Sequence, residues 1–162
     1  MNERFKNILF HLRPACMEHY GDRLVSVAVY GSVGRGTPRP DSDIDLLVVA
    51  EGLPDGRLKR MDDFRAIEKG LESRLSPIAD AGGRVEFSPV IKSPDEVKLG
   101  SPLFLDMTED AMILFDRDRF FEQALAGLRK RLERLGSKRI WRGNAWHWDL
   151  KPDYKPGEVF EL

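Results

Sequence analysis

Two short stretches of the chain carry residue types suited to phosphate chemistry. The first, Gly31-Ser32-Val33-Gly34-Arg35-Gly36, places three glycines in six residues. Glycines let the backbone approach a ligand closely with its N–H groups exposed, which suits phosphate. Ser32 adds a hydroxyl and Arg35 a permanently charged fork, both complementary to phosphate oxygens. Taken alone, the same loop also reads as a glycine turn with a solvated arginine.

The second stretch is Asp41-Ser42-Asp43-Ile44-Asp45. Side chains alternate faces along a strand, so Asp43 and Asp45 project together while Ile44 points into the core. Two crowded carboxylates repel unless a cation lies between them, and an all-oxygen ligand set favours Mg²⁺ shared with substrate phosphates. A phosphate cradle beside a paired-aspartate metal site is the equipment for metal-assisted phosphoryl or nucleotidyl transfer. The competing reading is a turn in which Asp41 and Ser42 cap N–H groups and the pair is merely exposed. An acidic pair leading straight into an apolar strand is hard to explain as solubility.

Both stretches need strands to position them. Leu24 to Tyr30 is rich in β-branched residues and delivers the chain to the glycine loop, and Ile44 to Ala50 is near-continuously apolar after Asp45, as in a strand buried on both faces. Phe5, Ile8, Leu9 and Leu12 predict a helix over 3–19, which Pro14 should kink or interrupt and Gly21-Asp22 should stop. Leu58, Met61, Phe64, Ile67, Leu71 and Leu75 form a stripe on a helix over 57–75, closed by Ser76-Pro77 and Gly82-Gly83. Arg84 to Ile91 reads as a third strand that Pro89 places near an edge or at a bulge, and Ala111 to Phe115 as a fourth. A last helix presents Phe121, Leu125, Leu128, Leu132 and Leu135, with Gly136 as its C-terminal cap. The fold expected is α/β (α+β), a short mixed sheet flanked by helices over residues 1–136. An extension over 137–162, with Trp141, Trp146 and Trp148, is expected to pack on the domain or on a partner subunit.

Composition narrows the function classes. A chain of 162 residues suits one domain, and 26 basic against 27 acidic side chains give no field for general nucleic-acid binding. One cysteine, Cys16, excludes an internal disulfide and reads as a small buried hydrophobe. The amino terminus lacks a secretory layout and no apolar run is long enough for a membrane helix, so a cytoplasmic protein without membrane contact is expected. His11 and His19 read as ordinary histidines, and His147 as part of the packed tryptophan cluster.

Gly31-Ser32, ten residues, then Asp43-Ile44-Asp45 resembles the signature of the DNA polymerase beta nucleotidyltransferase superfamily. Within it the chain is similar to the minimal nucleotidyltransferases (MNT type), often encoded beside HEPN-domain proteins. The resemblance covers about residues 5–135. It implies Mg²⁺ at a two-metal site, ATP or another NTP as substrate, and transfer of a nucleoside monophosphate to a hydroxyl with release of pyrophosphate. It makes Gly31, Ser32, Gly34, Arg35 and Gly36 the nucleotide-binding residues, and Asp43 and Asp45 catalytic metal ligands. Family members carry a third acidic residue, commonly Asp, on a later strand; Glu86 is the candidate here for catalysis and metal binding, one methylene longer.

Three functions compete. The first is transfer of AMP to a hydroxyl of a partner protein such as a HEPN toxin, an antitoxin role. The second is a small-molecule nucleotidyltransferase of the antibiotic type, for which the chain leaves little length for a substrate domain unless a homo-oligomer shares the acceptor site. The third is a non-catalytic partner-binding module, against which the retained Asp43 and Asp45 count.

Overall fold

The computed structural model describes residues 3–80, 85–143 and 145–162. Helix α1 (Glu3–Tyr20) leads through a 3-10 turn (Gly21–Arg23) into strand β1 (Leu24–Val29). A single helical turn, α2 (Gly31–Gly34), and a loop connect to β2 (Ile44–Ala50). Helix α3 (Arg57–Asp80) is followed by β3 (Phe87–Lys92), the short helices α4 (Pro94–Lys98) and α5 (Leu103–Asp110), and β4 (Met112–Asp116). A 3-10 turn (Arg117–Arg119) enters α6 (Phe120–Leu135), and a hairpin of β5 (Lys138–Arg142) and β6 (Ala145–Asp149) follows.

The four-stranded sheet has the order β3-β2-β1-β4. It is mixed: β1 pairs antiparallel with β2 and β4, while β2 and β3 run parallel. Alternation along the two central strands sends their side chains into two cores. Val27, Val29, Ile44, Leu46 and Val48 pack with Phe5, Ile8 and Leu12 of α1 and Phe64, Ile67 and Leu71 of α3. Val25, Ala28, Leu47 and Val49 pack on the other face with Val97, Phe104, Met107, Phe121 and Leu125. Leu46 through Ala50 are wholly buried, as the apolar run of the sequence requires of a strand covered on both faces.

Several boundaries differ from the sequence reading. Helix α1 runs through Pro14 as one element, so Pro14 does not interrupt it. Helix α3 continues past Ser76-Pro77 to Asp80, while Gly82, Gly83 and Arg84 lie outside the described residues. Strand β3 is at the sheet edge, where Pro89 forfeits no needed donor. Helices α4 and α5 were not expected. Ser93 caps α4: its side chain accepts from the Glu96 N–H while the Glu96 carboxylate accepts from the Ser93 N–H, a capping box with Pro94 at the first turn. Helix α6 receives its cap from outside the helix, since the Asp116 carboxylate accepts from the N–H groups of Phe121 and Glu122 at 3.0 and 2.9 Å. Gly136 ends α6 in the left-handed conformation, φ +68°, as expected of a C-terminal cap. No helix among the described residues is long and apolar enough to cross a membrane.

Candidate active site

Strands β1 and β2 bring the two chemistry-bearing stretches together at one end of the sheet. The Tyr30 N–H donates to the Asp45 carbonyl at 3.0 Å, which sets the glycine turn directly against the start of β2. The fit is tight: a Cβ built on Gly31, whose φ is +63°, would stand 2.1 Å from Asp45 Oδ2. Only a residue without a side chain leaves that carboxylate its place.

The turn closes on itself. The N–H groups of Gly34, Arg35, Gly36 and Thr37 donate to the carbonyls of Tyr30, Gly31, Val33 and Ser32, at 2.9–3.1 Å. Those amides are committed to the turn, so Gly34 and Gly36 shape it rather than offer N–H donors, which departs from the sequence expectation. Gly34 is further explained by packing, because a Cβ there would meet the Asp110 carbonyl at 2.4 Å and the Val29 carbonyl at 2.9 Å. Gly36 takes φ +76°. Ser32 is left at the mouth of the turn, half-buried.

Asp43 is exposed and Asp45 half-buried, separated by the fully buried Ile44. Burial, and then the charge of Asp43, hold the Asp45 carboxyl above the usual carboxylate range, while Arg35 pulls the other way. Burial and the Asp45 charge push the Tyr30 phenol up to about 12, so it stays protonated at neutral pH. An all-oxygen pair in which the Asp43 charge opposes ionisation of Asp45 fits a divalent cation.

Glu86 immediately precedes β3. Its carbonyl accepts from the Ile44 N–H at 2.9 Å, and the parallel register pairs Ile44 with Phe87 and Asp45 with Ser88. Its backbone is thus beside the pair, but its side chain is exposed, and among the described residues no three His, Cys, Asp or Glu side chains converge as a metal site.

The sequence reading missed a third component. Arg35 Nη1 donates to Asp110 Oδ2 at 3.2 Å, and its guanidinium lies 4.6 Å from the Trp146 ring centre. Arg35 is therefore tied to α5 and to the hairpin, not free in solvent. Residues 106 and 110 share a face of α5, an eight-residue helix without a side-chain N-cap, and the capping signal of Ser93 to Glu96 marks only α4.

A glycine turn moulded to a paired-carboxylate site, on adjacent antiparallel strands with helices on both faces, defines the class: an enzyme equipped for nucleotidyl transfer. The nucleotidyltransferase domain family matches residues 11–98. The chain is 31% identical, over 138 residues, to a Methanocaldococcus jannaschii protein named as a protein adenylyltransferase, covering 83% of this chain and 88% of that protein. The chain thus belongs to the nucleotidyltransferase family, enzymes that transfer nucleotidyl groups. Among solved structures, a toxin–antitoxin complex with AMP-PNP is 16% identical, with a TM-score of 0.48, covering 77% of this chain and 90% of that one. A complex of tri-AMPylated Shewanella oneidensis HEPN toxin with MNT antitoxin is 13% identical, with a TM-score of 0.48, covering 78% and 88%.

Proposed function

We propose that the chain is a Mg²⁺-dependent nucleotidyltransferase that moves AMP from ATP to a hydroxyl of a partner protein. The observation that carries this is the seating of Gly31 against the Asp45 carboxylate, which joins turn and acidic pair into one site. Asp43 and Asp45 would hold the metal, which when bound neutralises charge on the nucleotide phosphates. Ser32 and Arg35 complement phosphate oxygens, and the Arg35 guanidinium is already placed beside the turn.

In the reaction an acceptor hydroxyl oxygen forms a bond to the α-phosphorus as the bond to the bridging oxygen breaks, and pyrophosphate leaves. The hydroxyl proton needs a base. Glu86 is the candidate for it, or for a second metal, because its backbone lies beside the pair and its carboxylate is solvent-accessible.

A protein acceptor is supported by the name of the Methanocaldococcus jannaschii relative. A HEPN-type acceptor, with an antitoxin role, rests on the resemblance of the Gly-Ser and Asp-x-Asp motif to minimal nucleotidyltransferases. The test is incubation with α-labelled ATP, Mg²⁺ and candidate acceptors. Label on a HEPN-type protein, lost in Asp45→Asn, is the expected result; label reaching only small molecules would replace the protein-acceptor reading with the antibiotic-type one.

A further inference from the structure

Helix α5 ends in Asp110, whose side chain is 8% exposed. A carboxylate so placed needs partners, and it has two from distant parts of the chain. Arg139 of β5 donates from Nη1 and Nη2 to its two oxygens, both at 2.9 Å, the paired geometry that guanidinium and carboxylate favour. Arg35 of the glycine turn takes the second place on Oδ2.

The hairpin also supplies an aromatic floor. The guanidiniums of Arg35 and Arg139 lie 4.6 and 4.4 Å from the ring centre of Trp146, within cation–π range. Trp146 is itself pinned, since its Nε1 donates to Asp106 Oδ1 at 2.7 Å, and Trp148 Nε1 donates to the same oxygen at 2.8 Å. Register between β5 and β6 sets Trp141 opposite Trp146 and Arg139 opposite Trp148. Arg35 is thus held from two sides, by Asp110 of α5 and by Trp146 of the hairpin, neither of them part of its own loop.

A guanidinium has five N–H donors, and the bond to Asp110 uses one of Arg35's. The others stay available to a phosphate, while the side chain's position is fixed in advance. A long side chain that must be ordered at binding loses rotamer freedom at that moment, and one already ordered does not.

We propose that the C-terminal hairpin is part of the nucleotide site, with Asp110, Arg139 and Trp146 acting as positioning residues that hold Arg35 ready for the nucleotide's phosphates. This rests on the reading of Arg35 as a phosphate ligand. A purely structural hairpin would steady α5 without reference to the nucleotide, and a double-mutant cycle separates the two.

The affinity of the full chain for a non-hydrolysable ATP analogue with Mg²⁺ is measured by calorimetry for Arg139→Lys, Trp146→Leu, Arg35→Ala and the two combinations with Arg35→Ala. Arg139→Lys keeps the charge but loses the two-bond geometry. It is expected to weaken binding about fivefold, and Trp146→Leu on the order of tenfold, as for coupled contacting groups. In the Arg35→Ala background both effects should vanish. In turnover assays the nucleotide KM should rise with kcat nearly unchanged, a split that general unfolding would not give. Effects of equal size with and without Arg35, or no effect in either, would overturn the proposal. If Arg35→Ala leaves affinity intact while Asp45→Asn abolishes it, the fault lies in the role given to Arg35. If Trp146→Leu fails to fold by circular dichroism, Trp146→Phe and Arg139→Lys carry the cycle.

Discussion

Replacing Gly31 by alanine tests the seam between turn and acidic pair. The new Cβ would sit 2.1 Å from Asp45 Oδ2, where ordinary contact begins at 3.4 Å, so the carboxylate or the turn must yield by about 1.3 Å. The left-handed φ of +63° adds a strain of about 1–2 kcal/mol for a residue with a Cβ. For a domain of this size that strain lowers the melting temperature by about 2–8 °C. The carboxylate is the softer side, because the turn is closed by four backbone hydrogen bonds whereas a side chain yields by rotation about its χ angles. A displacement of about 1 Å at a reacting group costs on the order of 10²-fold in rate. Transfer of labelled AMP to a validated acceptor should therefore fall by about that factor at a temperature where circular dichroism shows the variant folded. If Gly31→Ala lost only the thermal stability and kept wild-type turnover, the turn would not be fitted to Asp45, and the site would have to be sought elsewhere.

Asp45→Asn removes a carboxyl that burial and Asp43 hold above its usual range, so the melting temperature without metal should hold or rise, while the stabilisation by Mg²⁺ and ATP seen by scanning calorimetry disappears. Glu86→Gln should lower transfer by about 10²–10⁴-fold with little change in nucleotide affinity if Glu86 takes the hydroxyl proton; wild-type transfer would reduce it to a surface residue. Burial pushes the Cys16 thiol up to about 12, so Ellman's reagent should label it only on unfolding. The native thiol resists ionisation that the unfolded one undergoes near 9, so Cys16's contribution to stability is complete below that pH and lost as pH rises towards 12; Cys16→Ser should flatten that part of the stability profile. A chain ending at Gly136 leaves Asp110 without Arg139 and uncovers apolar surface beneath Trp148, so light scattering should show aggregation or altered assembly; a soluble truncate in an unchanged assembly state would exclude that role for the hairpin.

The elements that hold the acidic pair were plain in the sequence because their burial is simple. Leu46 to Ala50 is apolar throughout and emerges as a strand covered on both faces, and Phe121 to Leu135 repeats at helical spacing and ends in a left-handed glycine. Pro14 misled because a single proline within a strongly buried helix gives up one hydrogen bond while Phe5, Ile8, Leu9, Leu12 and Cys16 hold both halves on the sheet. Helices α4 and α5 escaped notice because five and eight residues are too few to display a period; α4 left a local sign in Ser93 and Glu96, whereas α5 has no side-chain cap. Spacing singled out Asp43 and Asp45 as a pair, and the Asp43 charge does act on the Asp45 carboxyl at the start of β2. It had no means of showing that Arg35 meets Asp110 and Trp146, since those contacts cross 75 and about 110 residues of chain and depend on how three elements dock.

The strand order also bears on how the protein is made. Strand β1 gains β2 soon after it appears, but its other edge waits for β4, whose Asp116 pairs with Ser26 across 90 residues of sequence. At about 5–20 residues per second a ribosome needs roughly 5–18 s to deliver that partner. During this interval Leu24-Val25-Ser26-Val27-Ala28-Val29 presents an apolar edge, every residue of which is buried in the finished fold. Arrival of Asp116 does two things at once: its carboxylate takes the Ser26 hydroxyl at 2.6 Å and the first amides of α6, so the strand that seals the edge also starts the helix that covers it. Nascent chains stalled short of residue 116 should therefore be the ones that recruit chaperones or clump, and those released beyond α6 should not.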